Sequence, residues 1–159
     1  MILFGESTIN GFTGEYRWLS NFYPCKVFLD GVEYPTVEHA YVAAKCADEY
    51  DRQVVRKIEK PGYVKNFGRG IQKRHDWDSI RIVTMLNLLR QKFSQDYFRQ
   101  KLLETGSSYI EETNHWGDTF WGVCDGKGDN RLGYLLMNIR TEINEEAKTD
   151  LTMAETTGD

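Results

Sequence analysis

Apolar residues recur every three or four positions over much of this chain, which is the spacing of an amphipathic helix. One stripe follows Thr36, a favourable N-cap residue, and predicts a helix to about Asp48. Its members are Val37, Ala40, Tyr41, Ala44 and Ala47. A second stripe follows Asp76 and predicts the longest helix. Its members are Ile82, Met85, Leu86, Leu89 and Phe93.

Three further helices are predicted around these two. They run from residue 51 to 59, from Ser94 to the stop signal at Gly106, and from Asn130 to about Asn144. The first should end before Pro61-Gly62, because proline interrupts a helix. Only a turn or short helix is expected after it, through Gly68 and Gly70.

Strands are predicted to be few and short. Residues 25 to 34 contain two β-prone runs joined by Asp30-Gly31, the two-residue signal for a type I′ hairpin. Residues 109 to 112 and 119 to 123 form two further candidate strands, separated by a polar loop. The predicted fold class is therefore α+β, a single compact domain in which helices dominate.

The length of 159 residues fits one domain with a real hydrophobic core. Residues 1 to 144 form this predicted domain. Beyond Asn144 the apolar periodicity is lost, so residues 145 to 159 are predicted to be an acidic, disordered tail.

The cysteines and histidines do not form a recognisable motif. The three cysteines have no CxxC spacing, and the three histidines form no HxH or HExxH pair. Neither a disulfide framework nor a metal site is indicated, and no cofactor is expected. No apolar run reaches the roughly 18 residues of a membrane span, and the N-terminus does not resemble a signal peptide. A cytoplasmic protein is the expectation.

The formal net charge of -4 argues against non-specific binding along nucleic acid, which needs an excess of Lys and Arg. The charge is unevenly spread, however. Residues 52 to 74 contain eight basic side chains and the single acid Glu59. This segment could hold a phosphate locally, or it could be an ordinary solvated helix face.

Glu38 and Lys45 are seven residues apart, so they return to one face of their helix after two turns, roughly 10 Å apart. Tyr41 lies between them, next to small alanines that would let a ligand approach. Burial against this face would lower the pKa of Lys45 and make its neutral amine a nucleophile or base. Alternatively, Lys45 extends to water and Glu38 is an ordinary first-turn acid.

Two other segments concentrate aromatic and polar residues. YRWLSNFYP at residues 16 to 24 places Asn21 among four aromatic rings, where its amide could read the edge of a base or only cap its own backbone. HWGDTFWGVCDGKGDN at residues 115 to 130 places Asp118 three positions before Trp121 and ends in a glycine-containing loop. Its spacing matches no nucleotide-binding fingerprint, so it is a weak phosphate signal.

Taken in order, these segments resemble the NADAR family, also called YbiA-like, over about residues 12 to 143. The resemblance rests on WLSNFYP at 18 to 24, YPTVEHAYVAAK at 34 to 45, GRG at 68 to 70 with Trp77 following, LLRQKF at 88 to 93, LLETGSSYIEE at 102 to 112, DTFWG at 118 to 122 and NRLGYLLMNIR at 130 to 140. This chain has Tyr41 where the family typically has Gln, and Cys124 where it often has Gly.

The resemblance implies an N-glycosidase with a YbiA-like fold and one pocket. The implied catalytic residues are Lys45, Glu38 and Asp118. The implied substrate-binding residues are Ser20, Asn21, Phe22, Tyr41, Arg69, Trp77, Trp121, Gly122 and Asn130. Lys45 would attack the anomeric carbon, Glu38 or Asp118 would move protons, and Arg69 would hold phosphate.

The sequence leaves three ligand classes open. The first is a phosphorylated ribosylamino-pyrimidine of riboflavin biosynthesis, or a similar small molecule. The second is ADP-ribose attached to a guanine base in DNA. The third possibility is a non-catalytic sensor that binds NAD or ADP-ribose.

Overall fold

The computed structural model describes residues 7–157, and these residues form two compact units. The central unit is the middle of the sequence, Arg17–Gln95. The terminal unit combines residues 7–16 with residues 96–157. The predicted α+β class with dominant helices is confirmed. No helix within the described residues is both long and apolar enough to span a membrane.

Four helices form most of the central unit: α1 Val37–Lys45, α2 Glu49–Lys57, α3 Pro61–Gly70 and α4 Trp77–Ser94. A 3-10 helix, Gly14–Leu19, leads into it. The Thr36 hydroxyl caps α1 by accepting from the His39 N–H at 3.0 Å, as its residue type predicted. Helix α1 packs against α2, α3 and α4, so its small residues lie at the centre of the unit.

The region after α2 differs from the prediction. Helix α2 ends at Lys57, before Pro61-Gly62 as predicted, but Pro61 then begins the ten-residue helix α3 in its first turn. Proline suits that position because the N–H that it lacks would have no partner inside the helix. What was predicted as a turn or short helix is therefore a full helix.

The predicted hairpin is confirmed. Strand β2, Val27–Leu29, pairs antiparallel with β3, Val32–Tyr34. Asp30 and Gly31 both have positive φ, at 50° and 79°, as a type I′ turn requires.

The structure differs from the prediction at one position of the apolar face of α4. Met85, Leu89 and Phe93 are buried as predicted, but Ile82 is exposed. The buried stripe instead begins with Trp77 and continues through Arg81, one turn later and half-buried. The packing of α4 on α1 selects this face rather than the neighbouring one.

The terminal unit pairs short strands in parallel. Strand β1, Thr8–Asn10, pairs with β4, Tyr109–Glu111, and β5, Thr113–Asn114, pairs with β6, Val123–Cys124. Helix α5, Asp96–Glu104, precedes β4, and helix α6, Arg131–Thr157, ends the described chain. The strand predicted over residues 119 to 123 was wrong, because residues 119 to 122 form an irregular turn and only the last position enters β6.

The segment predicted as a disordered tail is helical as far as Thr157. Eight of its 13 residues from 145 to 157 are Glu, Ala, Lys, Leu or Met, which favour a helix even where no apolar stripe is buried. Threonine hydroxyls along it donate to carbonyls four residues earlier, for example Thr149 to Glu145 at 3.0 Å. The loss of periodicity therefore marks the end of burial, not the end of the helix.

The side chain of His39 in α1 is fully buried. It links Thr36, just before α1, to Ile58, just after α2. Its Nδ1 accepts from the Thr36 hydroxyl at 2.7 Å, and its Nε2–H donates to the Ile58 carbonyl at 2.7 Å. The Ile58 carbonyl can only accept, so Nε2 carries a proton, and in the neutral ring Nδ1 is then the acceptor. Burial lowers the pKa of His39, and the hydrogen bond to Ile58 partly opposes that shift.

We expect the free energy of unfolding to fall as pH drops below about 6.5, the value for an unfolded histidine. In that range the unfolded chain takes up a proton that buried His39 resists, so protonation favours unfolding. Melting temperatures measured at pH 7.5 and 5.5 should show a smaller decrease for His39→Gln than for the wild type. Exposed His115→Gln is the control and should keep the wild-type decrease. An unchanged decrease in His39→Gln would contradict the assignment.

Candidate active site

One face of α1 presents three side chains along two turns. Glu38, Tyr41 and Lys45 are all half-buried, whereas the alanines beside them are fully buried. The carboxylate of Glu38 acts electrostatically on Lys45 and favours its charged form. The predicted placement of Glu38 and Lys45 on one helix face is thus present within the central unit.

Lys45 does not extend into bulk water. Its Nζ donates to the carbonyl of Gly68 at 2.6 Å, and its own carbonyl accepts from the Arg74 N–H at 3.0 Å. Burial lowers the pKa of Lys45, and the positive charges of Lys73 and Arg81 lower it further, while Glu38 opposes them. A larger share of this amine is therefore neutral near pH 7 than for an exposed lysine, as a nucleophile requires.

Gly68 brings α3 close to α1. A Cβ at this position would lie 3.0 Å from both methyl carbons of Val42, tighter than ordinary contact. The absence of a side chain lets the Gly68 carbonyl reach Lys45. Arg69, the predicted phosphate-binding residue, is exposed and donates to Asn66 on its own helix at 3.3 Å. Its role in binding phosphate stays a prediction.

Helix α4 supplies a second row of side chains against this face. The ring of Trp77 lies 4.9 Å from that of Tyr41, between centroids, and tilted by 58°. Arg81, one turn later, is close enough to act electrostatically on Lys45. Sequence reasoning missed Arg81, although a charged residue between Trp77 and Met85 in an apolar stripe is a detectable signal.

The turn that contains Asn21 contacts both helices. The Asn21 carbonyl accepts from the Glu38 N–H at 3.1 Å, and its side-chain NH₂ donates to the sulfur of Met85 at 3.5 Å. The side-chain oxygen is buried and accepts no hydrogen bond from the described residues. Sulfur is a weak acceptor, so this amide is poorly satisfied inside the protein and suited to a ligand.

Two neighbours of Asn21 were also predicted to bind substrate. The Ser20 hydroxyl accepts from the Phe22 N–H at 3.1 Å, which closes the turn. The Phe22 ring is exposed, and the Nζ of Lys65 lies 5.9 Å from its centroid. Ser20 therefore shapes the turn, whereas Phe22 offers an aromatic face at the surface.

The remaining predicted residues lie in the terminal unit, where Asp118 organises a turn. One of its carboxylate oxygens accepts from the N–H groups of Phe120 and Trp121, at 3.1 and 2.9 Å. Asn114 fixes the start of the turn by accepting from the Asp118 N–H at 3.1 Å. The half-buried Trp121 ring packs edge-on against Phe120.

Gly122 and Asn130 have structural roles in this unit. A Cβ on Gly122 would overlap the carboxylate and carbonyl of Glu112. The buried Asn130 side chain accepts from the Glu112 N–H at 2.9 Å and donates to the Ile110 carbonyl at 2.9 Å. The amide of Asn130 is satisfied within the protein, and its role in binding substrate stays a prediction.

A family model described as NADAR domain matches residues 10–144. The chain belongs to the NADAR family. The match includes most of the central and terminal units, so both belong to one NADAR domain. The family resemblance inferred from the sequence blocks is confirmed.

Relatives of this NADAR chain have names that describe a glycosidase and a biosynthetic protein. N-glycosidase YbiA of Escherichia coli strain K12 is 37% identical over 134 residues, which cover 81% of this chain and 82% of that protein. A riboflavin biosynthesis protein of Vibrio vulnificus is 38% identical over 140 residues, which cover 86% of this chain but only 38% of that longer protein.

A solved structure shares the fold. The NMR structure of the E. coli protein YbiA aligns with a TM-score of 0.80 at 34% identity. The alignment covers 91% of this chain and 89% of the YbiA chain. The YbiA-like fold expected from the sequence is therefore confirmed.

Proposed function

We propose that this NADAR protein is an N-glycosidase that hydrolyses the bond between a phosphorylated ribose and a nitrogen heterocycle. The observation that carries the proposal is the half-buried Lys45 amine, held at the Gly68 carbonyl on the same helix face as Glu38. The tilted ring pair of Tyr41 and Trp77 borders this face. A nucleophile, a carboxylate and aromatic surface are the groups that this reaction needs.

In the proposed first step the neutral Lys45 amine attacks the anomeric carbon. A bond forms between Nζ and C1, and the C1–N bond to the heterocycle breaks, its electron pair moving to the departing nitrogen. Glu38, in its protonated form, supplies the proton that this nitrogen takes up. Negative charge on the leaving heterocycle is thereby avoided.

The second step opens the sugar. The Lys45 nitrogen, now a secondary ammonium, gives one proton to the Glu38 carboxylate and then forms a double bond to C1. The C1–O4 bond breaks at the same time, its electron pair moves to O4, and O4 takes up the proton from Glu38, which leaves a protonated imine. Water then adds to C1, and the imine is hydrolysed to the free sugar phosphate and the original amine. Lys73 and Arg81 disfavour positive charge at Lys45, whereas the carboxylate of Glu38 favours it. Glu38 therefore stabilises the cationic intermediates.

Cationic side chains near Lys45 favour a phosphorylated substrate. Lys73 and Arg81 both act on Lys45 electrostatically, and Arg69 follows Gly68 in α3. Arginine can bind a phosphate through two parallel hydrogen bonds. We infer that Arg81, with Arg69 as the predicted partner, recognises the phosphate of the substrate.

Asp118 stays a candidate for proton transfer. One of its carboxylate oxygens is used by the turn at Trp121. The comparison of Asp118→Asn with Glu38→Gln tests which carboxylate moves the proton. The variant that lacks the essential acid should recover activity with substrates whose leaving group needs no protonation.

The substrate class is tested by incubating the protein with phosphoribosyl heterocycles, including ribosylamino-pyrimidine phosphates, and with ADP-ribosylated guanine oligonucleotides. Mass spectrometry would follow the free base and the reducing sugar. The names of the relatives lead us to expect turnover of the small phosphorylated molecules. Turnover of the oligonucleotide alone would identify an ADP-ribosyl glycohydrolase instead, and binding of NAD or ADP-ribose without depletion of any ligand would identify a sensor.

A further inference from the structure

Lys92 is a fully buried lysine near the end of α4. Its Nζ donates to the carbonyl of Ser20 at 2.9 Å. The rings of Phe93 and Tyr23 lie around it, with centroids 5.4 and 6.0 Å from Nζ. The amine is therefore enclosed by the Ser20 turn and aromatic surface, and it is too deeply buried to meet a substrate.

The carbonyl that Lys92 holds belongs to the turn of the candidate site. The Ser20 carbonyl also accepts from the Tyr23 N–H at 3.1 Å. The next carbonyl along the chain, that of Asn21, accepts from the Glu38 N–H at 3.1 Å. Two consecutive carbonyls thus attach the turn to α4 through Lys92 and to α1 through Glu38.

We propose that Lys92 is a positioning residue, which holds the Ser20-Asn21 turn in place so that the Asn21 amide faces the substrate. The inference rests on the proposed function, because the turn is part of the proposed substrate site. Lys92 acts through the turn and takes no part in the reaction itself.

The chemical cost of this lysine supports a role beyond packing. Burying an ammonium group is energetically unfavourable, and an apolar side chain of similar size is often as stable or more stable at such a position. A hydrogen bond from an ammonium is also stronger than one from a neutral donor. The charged form of Lys92 therefore holds the Ser20 carbonyl more firmly than the neutral form.

The hydrogen bond from Lys92 to the Ser20 carbonyl should weaken as the pH rises through 7. Burial lowers the pKa of Lys92 to about 7, and the thiol of Cys25 partly opposes that shift. Cys25 and Tyr23 are the titratable groups that face it, and burial raises the pKa of Cys25. Because burial moves the titration of Cys25 away from this range, a change near pH 7 in this region reports Lys92.

The first test needs no substrate. In wild-type protein with labelled lysine ε-carbons and backbone nitrogens, NMR should show the Lys92 resonance and the amide resonances of Phe22 and Glu38 changing with one common midpoint near pH 7. In Lys92→Met the two amides should no longer follow that midpoint. Amides that do not change with Lys92 in the wild type would overturn the inference, whether or not the variant folds.

The second test uses a substrate identified for the proposed function. Lys92→Met should raise KM about tenfold, the effect of losing one hydrogen bond to a charged group, and change kcat by less than about threefold. Its melting temperature should equal or exceed that of the wild type at pH 6. Exposed Lys57→Met is the control and should keep the wild-type KM. A stable Lys92→Met with wild-type KM would show a purely structural role.

The two tests separate the inference from the proposed function. If no substrate is turned over, the proposed function fails and the NMR titration still decides whether Lys92 holds the turn. If a substrate is turned over and the titration is flat, the function stands and the positioning role fails.

Discussion

Lys45→Ala is expected to reduce kcat by at least about 10²-fold, the lower range for the loss of one group that acts in proton transfer or attack. The substitution removes the amine that the Gly68 carbonyl holds beside Glu38. The fold should persist, because Lys45 is only half-buried and its backbone contacts to Arg74 are unchanged. Steady-state kinetics with the identified substrate, together with the melting temperature, measure both effects.

A matched lysine variant separates catalysis from a general loss of charge. Lys57 is exposed at the end of α2, in the same unit as Lys45. Lys57→Ala should keep the wild-type kcat and KM. A fully active Lys45→Ala protein would end the proposed mechanism.

Gly122→Ala is expected to lower the free energy of unfolding by about 3 kcal/mol or more, the range for severe overlap at a buried position. The new Cβ would overlap two oxygen atoms of Glu112 and would lie 2.7 Å from the side-chain nitrogen of Asn114. These groups cannot move cheaply, because Asn114 also holds the carbonyl of Asp118 at 2.8 Å. Denaturant unfolding of the two proteins gives the difference directly.

Gly62→Ala is the matched control for this glycine. Gly62 lies in the first turn of α3, its φ is not positive, and a Cβ there would meet no atom within 4 Å. Its free energy of unfolding should stay within about 1 kcal/mol of the wild type. A Gly122→Ala protein as stable as the Gly62→Ala protein would show that the loop at Asp118 rearranges freely.

Local rules predicted the parts of the fold that depend on neighbouring residues. The Asp30-Gly31 turn and the Thr36 cap were correct because their conformations follow from residue types a few positions apart. The end of α2 before Pro61 was predicted correctly, but the start of a new helix at Pro61 was missed, although proline suits a first turn. Whether a new helix begins there depends on the residues after the proline, and the glycines at positions 62, 68 and 70 disfavour one.

The residues of the candidate site that share one helix were predicted. Contacts that depend on how the helices pack were missed. Helical spacing placed Glu38 and Lys45 on one face of α1. The contact between Lys45 and Gly68 joins residues 23 positions apart and requires the close approach of α3 to α1. The roles proposed for Arg81 and Lys92 likewise depend on which face of α4 is buried, and periodicity alone placed that face incorrectly at Ile82.

The most direct test of the proposed mechanism is chemical trapping of the imine at Lys45. The wild-type protein would be mixed with the identified substrate and sodium borohydride, digested, and its peptides mapped by mass spectrometry. We predict a reduced sugar-phosphate adduct on Lys45 that is absent from Lys45→Ala and from samples without substrate. Rapid turnover with no adduct, or an adduct confined to other lysines, would contradict the account.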